Sequence, residues 1–424
     1  MRFLHMADIH LGNQQYNSAA RFNDFYYAFE DAVNLAIQEQ VDACVIAGDL
    51  FHKTAIDPLT LLQAEEGLAR LQQRGIPVIG VHGNHDKARY RDQFSWVEYL
   101  ADRGLIRLLA PHFETDPLQL EPDDSYVDVD MVRFIGVPWL GASAARVLAQ
   151  LVEACERLSW QGIAFTVLIT HAGVEGQMPD MAGCLSHAEL APLKRRVQYL
   201  ALGHLHKPYP VDGWIYNPGS LEACSFEEAD YERGVYLVTV NRDGSHHAEH
   251  VKLHQRNRPF STLLIKTDAC AVPGDLLKET RAAARREARR LRALYHPDFT
   301  RRGKPVVRVI LDGYLTFDRA HLDIEAVREA VWDGMSEIDP LLVRVENRTR
   351  PPGFVASAEE NLTRSELERL VFEDIARSDT RFSLHAAAIG NLMLQIKRLA
   401  INPQSSPQEI YDVLDRYLSE IEGA

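Results

Sequence analysis

Gly83-Asn84-His85-Asp86 is the stretch on which the fold reading turns. It follows the apolar run Ile76-Pro77-Val78-Ile79-Gly80-Val81, the pattern of a buried strand entering a loop. An amide, an imidazole and a carboxylate then occupy three consecutive positions. Four other segments share the layout. Phe3-Leu4-His5-Met6-Ala7 leads into Asp8-Ile9-His10, and Ala43-Cys44-Val45-Ile46-Ala47 leads into Gly48-Asp49-Leu50-Phe51-His52. Phe165-Thr166-Val167-Leu168-Ile169-Thr170 leads into His171, and Val197-Gln198-Tyr199-Leu200-Ala201-Leu202 into Gly203-His204-Leu205-His206. In an open α/β sheet, strand ends converge on one edge, and ligands bind there. The expectation is that the five loops meet around two metal ions.

The totals are those of a soluble globular protein. The 424 residues correspond to about three domains. Apolar content of 46% and charged content of 25% are ordinary. No apolar run approaches the ~20 residues of a membrane span. The chain opens in a strand-like segment without the charged and apolar regions of a secretory signal. Cys44, Cys155, Cys184, Cys224 and Cys270 are scattered and form no CxxC pair. They read as reduced thiols, and the expected location is cytoplasmic. A net charge of −14 is the reverse of what a dedicated nucleic-acid-binding module carries. A carboxylate site adds negative charge that bound cations neutralise, however, and local patches outweigh the sum.

Residues 1–257 alternate strand-like and helix-like segments, the signature of a layered α/β sheet. Residues 20–40 are helical in pattern, with Phe22, Phe25, Phe29, Val33 and Ile37 spaced by three and four. A second helix spans 58–74, with Asp57 as N-cap and Pro58 at its first position. Further helices are expected at 94–103 and 144–158. The acidic, turn-rich stretch 111–130 reads as a surface loop or hairpin.

A small α+β domain is expected over 258–350, in the order β-α-β-α-β. Its first helix, 275–295, carries Arg285, Arg286, Arg289 and Arg290, and Arg301 and Arg302 follow. This stretch either holds a phosphate backbone or is a solvated face laced with internal ion pairs. A linker is expected at 351–362, around Pro351-Pro352-Gly353. Residues 363–424 read as helices with apolar stripes that pack on the parent domain or on a partner.

Two-metal hydrolysis requires anionic bridges, nitrogen ligands and open positions for water and phosphate. Asp8 and His10, two apart in an extended segment, would share a face. Asp49, with two oxygens at a strand tip, can bridge ions ~3.5–4 Å apart. Asn84 offers a neutral oxygen, and His204 and His206 are again two apart. Each of these signals alone is weak. Five in order, each after a strand-like run, are hard to explain as ordinary internal contacts. His5, His82 and His187 read as structural.

The series Asp8-Ile9-His10, Gly48-Asp49, Gly83-Asn84-His85-Asp86, His171 and Gly203-His204-Leu205-His206 resembles the calcineurin-like metallophosphoesterase superfamily. More closely, Leu4 to Gly12, Gly48 to His52 and Asn217-Pro218-Gly219-Ser220-Leu221-Glu222 resemble the SbcD-type DNA double-strand-break repair nucleases, in their YhaO-like branch. The resemblance covers residues 1 to about 255. It implies a layered metallophosphoesterase β-sandwich flanked by helices, with a small α+β capping domain and a helical C-terminal tail.

It also implies the ligand sets. One ion takes Asp8, His10, Asp49 and His206, and the other takes Asp49, Asn84, His171 and His204, with Asp49 bridging. His85 contacts the scissile phosphate or protonates the leaving oxygen. Asp86 orients an imidazole, and His52 stands near the site. The family commonly works with manganese, but the donors suit iron, zinc or cobalt as well. Its partners would be DNA, an SMC-like coiled-coil ATPase of the SbcC or YhaN type, and a second copy of the chain, joined through helices such as 94–103.

Two other functions remain open. One is a phosphatase or cyclic-nucleotide phosphodiesterase on the same fold. Protein phosphatases of the superfamily usually place an Arg soon after Gly-Asp and a Glu after Gly-Asn-His, where Leu50-Phe51-His52 and Asp86 stand here. The other is a scaffold subunit with an idle site, against which the complete ligand set argues.

Overall fold

A computed structural model describes the chain except residues 89–93, 114–116, 178–183, 254–256, 296–302, 351–362, 379–381, 383–384, 402–405 and 423–424. Strands β1 (Arg2–Met6), β2 (Ala43–Ile46), β3 (Val78–Gly80) and β4 (Arg107–Leu108) lie parallel to one another. A second sheet is built from β5 (Tyr126–Val129), β6 (Val132–Val137), β7 (Phe165–His171), β10 (Tyr199–Gly203), β11 (Tyr209–Val211) and β12 (Ile215–Asn217). Between β7 and β10 a short pair, β8 (Gly173–Val174) and β9 (Cys184–Leu185), stands apart. Finally β13 (Gly234–Val240) and β14 (His246–Lys252) return antiparallel to complete the first sheet, in the order β14-β13-β1-β2-β3-β4.

The two sheets pack face to face. Phe3 of β1 meets Phe134 of β6 and Tyr199 of β10 edge-on, with ring centroids 5.5 and 5.4 Å apart. Val45, Ile79, Val167, Ile169 and Val238 fill the same layer. Burying each such phenylalanine contributes roughly 1.5–3 kcal/mol. The outer face of the first sheet is covered by α1 (Ala19–Gln38), α2 (Pro58–Gln73) and α3 (Trp96–Asp102). The outer face of the second is covered by α4 (Ala144–Arg157) and the short α5 (His187–Leu190). Strands buried on both faces need unbroken apolar runs, which is why the runs before each polar loop read as they do.

Local chemistry sets the helix ends. Asp57 Oδ1 accepts from the Thr60 N–H at 2.9 Å, with Pro58 opening α2. Ser95 and Glu98 form a reciprocal capping box on α3. Within the acidic stretch at 111–130, the described residues before β5 are loop, and β5 turns through Asp130 into β6.

Residues 258–350 form a parallel sheet of β15 (Phe260–Lys266), β16 (Val306–Tyr314) and β17 (Leu342–Arg350). Helices α6 (Pro273–Tyr295) and α7 (Ile324–Gly334) cover one face, around Leu263, Leu276, Val309 and Val331. Although it has its own core, this region belongs to one compact unit with the sandwich, Met1–Pro352. Arg258 makes a double ion pair to Asp24 of α1, at 2.6 and 2.8 Å, and Phe260 packs edge-on against Phe226. Gly353–Ala424 is a second unit, with helices α8 (Arg364–Ser378), α9 (Ala386–Ile401) and α10 (Pro407–Glu422). Within it, Lys397 pairs with Glu368 at 2.8 Å across α8 and α9. The expected linker at 351–362 lies outside the described residues.

Candidate metal centre

The C-terminal ends of β1, β2, β3, β7 and β10 carry the polar loops singled out above, and the structure brings their side chains together. The loop after β1 and the loop after β2 run side by side: the N–H groups of Ile9 and His10 both donate to the Asp49 carbonyl, at 2.9 and 3.1 Å. Asp8 then accepts the His204 N–H on both carboxylate oxygens, at 3.1 and 2.9 Å. Asp49 Oδ1 accepts the His85 N–H at 2.9 Å. The Asp8 carboxylate thus pins the β1 loop to the β10 loop, and the Asp49 carboxylate pins the β2 loop to the β3 loop.

The reason expected for the pairing of Asp8 with His10 is corrected. The segment is not extended: Asp8 and His10 have φ of 50° and 52°, Asp49 of 55° and His204 of 94°. Left-handed backbone at a non-glycine residue costs roughly 1–3 kcal/mol, and such strain gathers at functional sites. The turn, rather than strand alternation, aims these side chains. Close packing also explains Gly83, where an added Cβ would lie 2.0 Å from Asp49 Oδ1.

The donors fall into two groups. In one, His10 Nε2 and His206 Nε2 face each other at 3.0 Å. Asp49 Oδ2 lies 4.0 Å from His10 Nε2, and Asp8 Oδ1 lies 3.9 Å from His206 Nε2. In the other, Asn84 Oδ1 lies 3.1 Å from His171 Nε2 and 3.0 Å from His204 Nδ1, and Asp49 Oδ2 lies 3.3 Å from His171 Nε2. Asp49 touches both groups.

The geometry fits metal ions. His171 Nδ1 donates to the Ala47 carbonyl at 2.8 Å, which leaves its Nε2 as a lone pair in the neutral ring. That nitrogen faces the Asn84 and Asp49 oxygens, and a bound cation would satisfy all three. His206 repeats the pattern, with Nδ1 3.1 Å from Glu228 Oε1 and Nε2 turned inward. Buried His10 Nδ1 has no hydrogen-bond partner.

Electrostatics express the same demand. Burial opposes charge on His171, yet Asp49 and Asp8 raise it to about 9. Burial likewise opposes charge on His206, but Cys224, Glu228 and Asp8 raise it to about 11. Asp49, despite burial, is held well below the usual carboxylate range by His171 and His10. His52 and His204, desolvated and beside other imidazoles, are lowered to about 4.

His85 and His52 stand at the rim. Their rings stack, with centroids 5.5 Å apart, and His85 Nδ1 donates to the His52 carbonyl at 2.7 Å. The Nε2 of His85 is left free, 4.0 Å from Asp49 Oδ2, and its side chain is 38% exposed. Asp86 differs from expectation: among the described residues it meets backbone N–H groups rather than an imidazole. Its carboxylate accepts the N–H groups of Gly83, Phe51 and Leu50, at 3.0, 3.0 and 3.3 Å, bracing the β2 loop against the β3 loop. Burial and the nearby Asp49 charge raise its carboxyl to about 6.

The basic helix is only partly a free cationic face. Arg286 pairs with Glu279 at 2.8 Å and Arg290 with Glu287 at 2.6 Å. Arg285 and Arg289 are exposed, with no ion pair among the described residues. Arg301 and Arg302 lie outside the described residues.

Three residues escaped the sequence reading. Glu228 holds His206, and Cys224 lies beside it. Arg21, fully buried on α1, donates to Glu222 Oε1, the Ala223 carbonyl, Gln15 and Asp24, so fixing the loop that carries them. None has a local signature. The one available clue was Asn217 to Glu222, a quoted motif with no role attached.

Residues 1–208 match the family of calcineurin-like phosphoesterases. The chain carries a calcineurin-like phosphoesterase domain. It is similar to the DNA double-strand break repair protein Mre11 of Archaeoglobus fulgidus, 36% identical over 54% of this chain and 52% of that protein. It is similar also to the Aeropyrum pernix protein of the same name, 29% identical over 57% of this chain and 58% of that one. The chain thus spans about half the length of these curated relatives. Among solved structures, calcineurin-like phosphoesterase YfkN from Bacillus subtilis aligns with a TM-score of 0.37 and 14% identity, over 59% of this chain and 89% of that one.

Proposed function

We propose that the chain is a metal-dependent DNA nuclease that hydrolyses phosphodiesters in double-strand-break repair. The observation that carries the reading is the convergence of Asp8, His10, Asp49, Asn84, His171, His204 and His206 around two cation positions that share Asp49. Two divalent ions, manganese foremost, would polarise the phosphoryl oxygens and activate water. The chain's own part is to hold them: Asp8, His10 and His206 on one side, Asn84, His171 and His204 on the other. His85, anchored by its Nδ1, presents Nε2 to the leaving oxygen and can deliver a proton there. His52 supports that ring from beneath.

The domain organisation supports a polymeric substrate. Residues 258–350 flank the phosphoesterase domain as a capping domain, with Arg285 and Arg289 available to a phosphate backbone. Leu59 and Leu62 of α2, and Phe94 and Trp96 at the start of α3, are exposed apolar side chains suited to a second copy of the chain. The helical unit beyond the linker, with Ile375 and Tyr411 exposed, suits a coiled-coil ATPase partner. Among the described residues no helix is long and apolar enough to cross a membrane, in keeping with a cytoplasmic role.

Manganese-dependent digestion of end-labelled hairpin, single-stranded and duplex DNA tests the function, with Asp49→Ala as control. Cleavage of DNA that Asp49→Ala abolishes is expected. Turnover of a nitrophenyl phosphodiester with indifference to DNA would favour a small-molecule phosphodiesterase instead.

A further inference from the structure

We propose that Cys224 is a thiolate ligand to the ion held by His10 and His206, which makes that half of the centre selective for a softer divalent cation. The inference rests on the metal reading above and adds a donor to it. One ligand atom each of His10, His206 and Cys224 lie within 4.8 Å of one another. With Asp8 and Asp49 the ion would then have five protein donors, and a small closure would bring the sulfur within bonding range. The arrangement is built rather than incidental. The Cys224 N–H donates to Glu228 Oε2 at 2.9 Å, and its carbonyl accepts from Gln15 Nε2 at 2.6 Å. Glu228 Oε1 meanwhile occupies His206 Nδ1, so the Nε2 of that ring is directed at the ion.

The thiol is in hydrogen-bond contact with the His206 imidazole. Its contact with the Glu222 carbonyl is 3.9 Å, at the limit for a sulfur donor. Cys44, Cys155 and Cys270, by contrast, are buried in hydrophobic cores. Cys224 also lines an open groove of about 390 Å³, shared with Tyr16, Phe226 and Arg344. When an ion binds, the S–H bond breaks, its proton passes to water, and a sulfur–metal bond forms. Sulfur favours zinc and cobalt, whereas the Asn84, His171 and His204 half has only oxygen and nitrogen donors.

Cobalt(II) titration of the full chain, followed by absorption, tests this, with Cys224→Ser and Cys224→Ala in parallel. The wild type should show a near-ultraviolet thiolate-to-cobalt charge-transfer band beside the ligand-field bands. Both variants should lose the first and keep the second. Zinc affinity by calorimetry should fall at least roughly tenfold in the variants, and manganese affinity should change less. Ligand-field bands without charge transfer in the wild type, or a charge-transfer band that survives in the variants, would overturn the thiolate assignment alone. No ligand-field bands in the wild type would overturn the metal reading beneath it.

Discussion

His206 Nδ1 lies 3.1 Å from Oε1 of Glu228, and the two come from loops on opposite sides of β12. The carboxylate also meets Arg233 at 3.8 Å, so it is anchored from behind. Such a carboxylate fixes the ring tautomer of a metal-binding histidine and raises its basicity. Glu228→Gln keeps the size and one acceptor but loses the charge. We expect metal affinity, read by calorimetry, to fall roughly 10- to 100-fold with an unchanged circular dichroism spectrum. Wild-type affinity in the variant would remove Glu228 from the site.

His85→Gln separates chemistry from metal binding. The His85 backbone N–H holds Asp49, and the variant preserves it. Two ions per chain should remain by elemental analysis, while DNA cleavage should drop roughly 10²- to 10⁴-fold, the usual contribution of a positioned acid or base. Full activity would exclude the ring from catalysis.

Gly83→Ala should disable the centre from below. The new Cβ would lie 2.0 Å from Asp49 Oδ1 and 2.4 Å from the Asp49 nitrogen. The shared carboxylate must move, and both ion positions depend on it. Metal content and cleavage are expected to fall together, by roughly 10²-fold in rate. If crystals of the variant show Asp49 unmoved, the packing argument fails.

His5 predicts a pH dependence of stability. Its ring is buried between the Tyr199 hydroxyl and the Leu202 carbonyl, both at 3.0 Å. Burial, with His250 adding to it and the Leu202 carbonyl opposing, lowers it to about 3. The folded state therefore resists a proton that the unfolded chain accepts near pH 6.5. This contribution is present above about pH 6.5 and is lost, at about 1.4 kcal/mol per unit, as pH falls toward 3. Urea midpoints from pH 7 to 4 should decline more steeply for the wild type than for His5→Gln. Parallel curves would exclude His5 as the titrating group.

Removal of residues 360–424 should abolish binding to a coiled-coil ATPase partner and leave basal DNA cleavage intact. Co-purification and a nuclease assay read the two effects separately. Retained binding would take the partner role away from the helical unit.

The sequence by itself determined the layered α/β class, the β-α-β-α-β order of residues 258–350, and which polar side chains gather at the strand ends. It could do so because each of them follows a doubly buried strand, and an apolar run ending in Asp, His or Asn is legible without neighbours. Only the tertiary structure decided how those side chains are aimed and what stands behind them. The left-handed turns at Asp8, His10, Asp49 and His204 depend on hydrogen bonds between loops far apart in sequence. For the same reason Asp86 proved to be a brace on three backbone N–H groups, and Glu228 and Cys224 stayed hidden. Their role comes from standing beside His206, and proximity across two intervening strands leaves no periodic mark on a chain. The pairing of Arg286 and Arg290 with acidic neighbours was likewise settled by rotamers and folding, which composition does not encode.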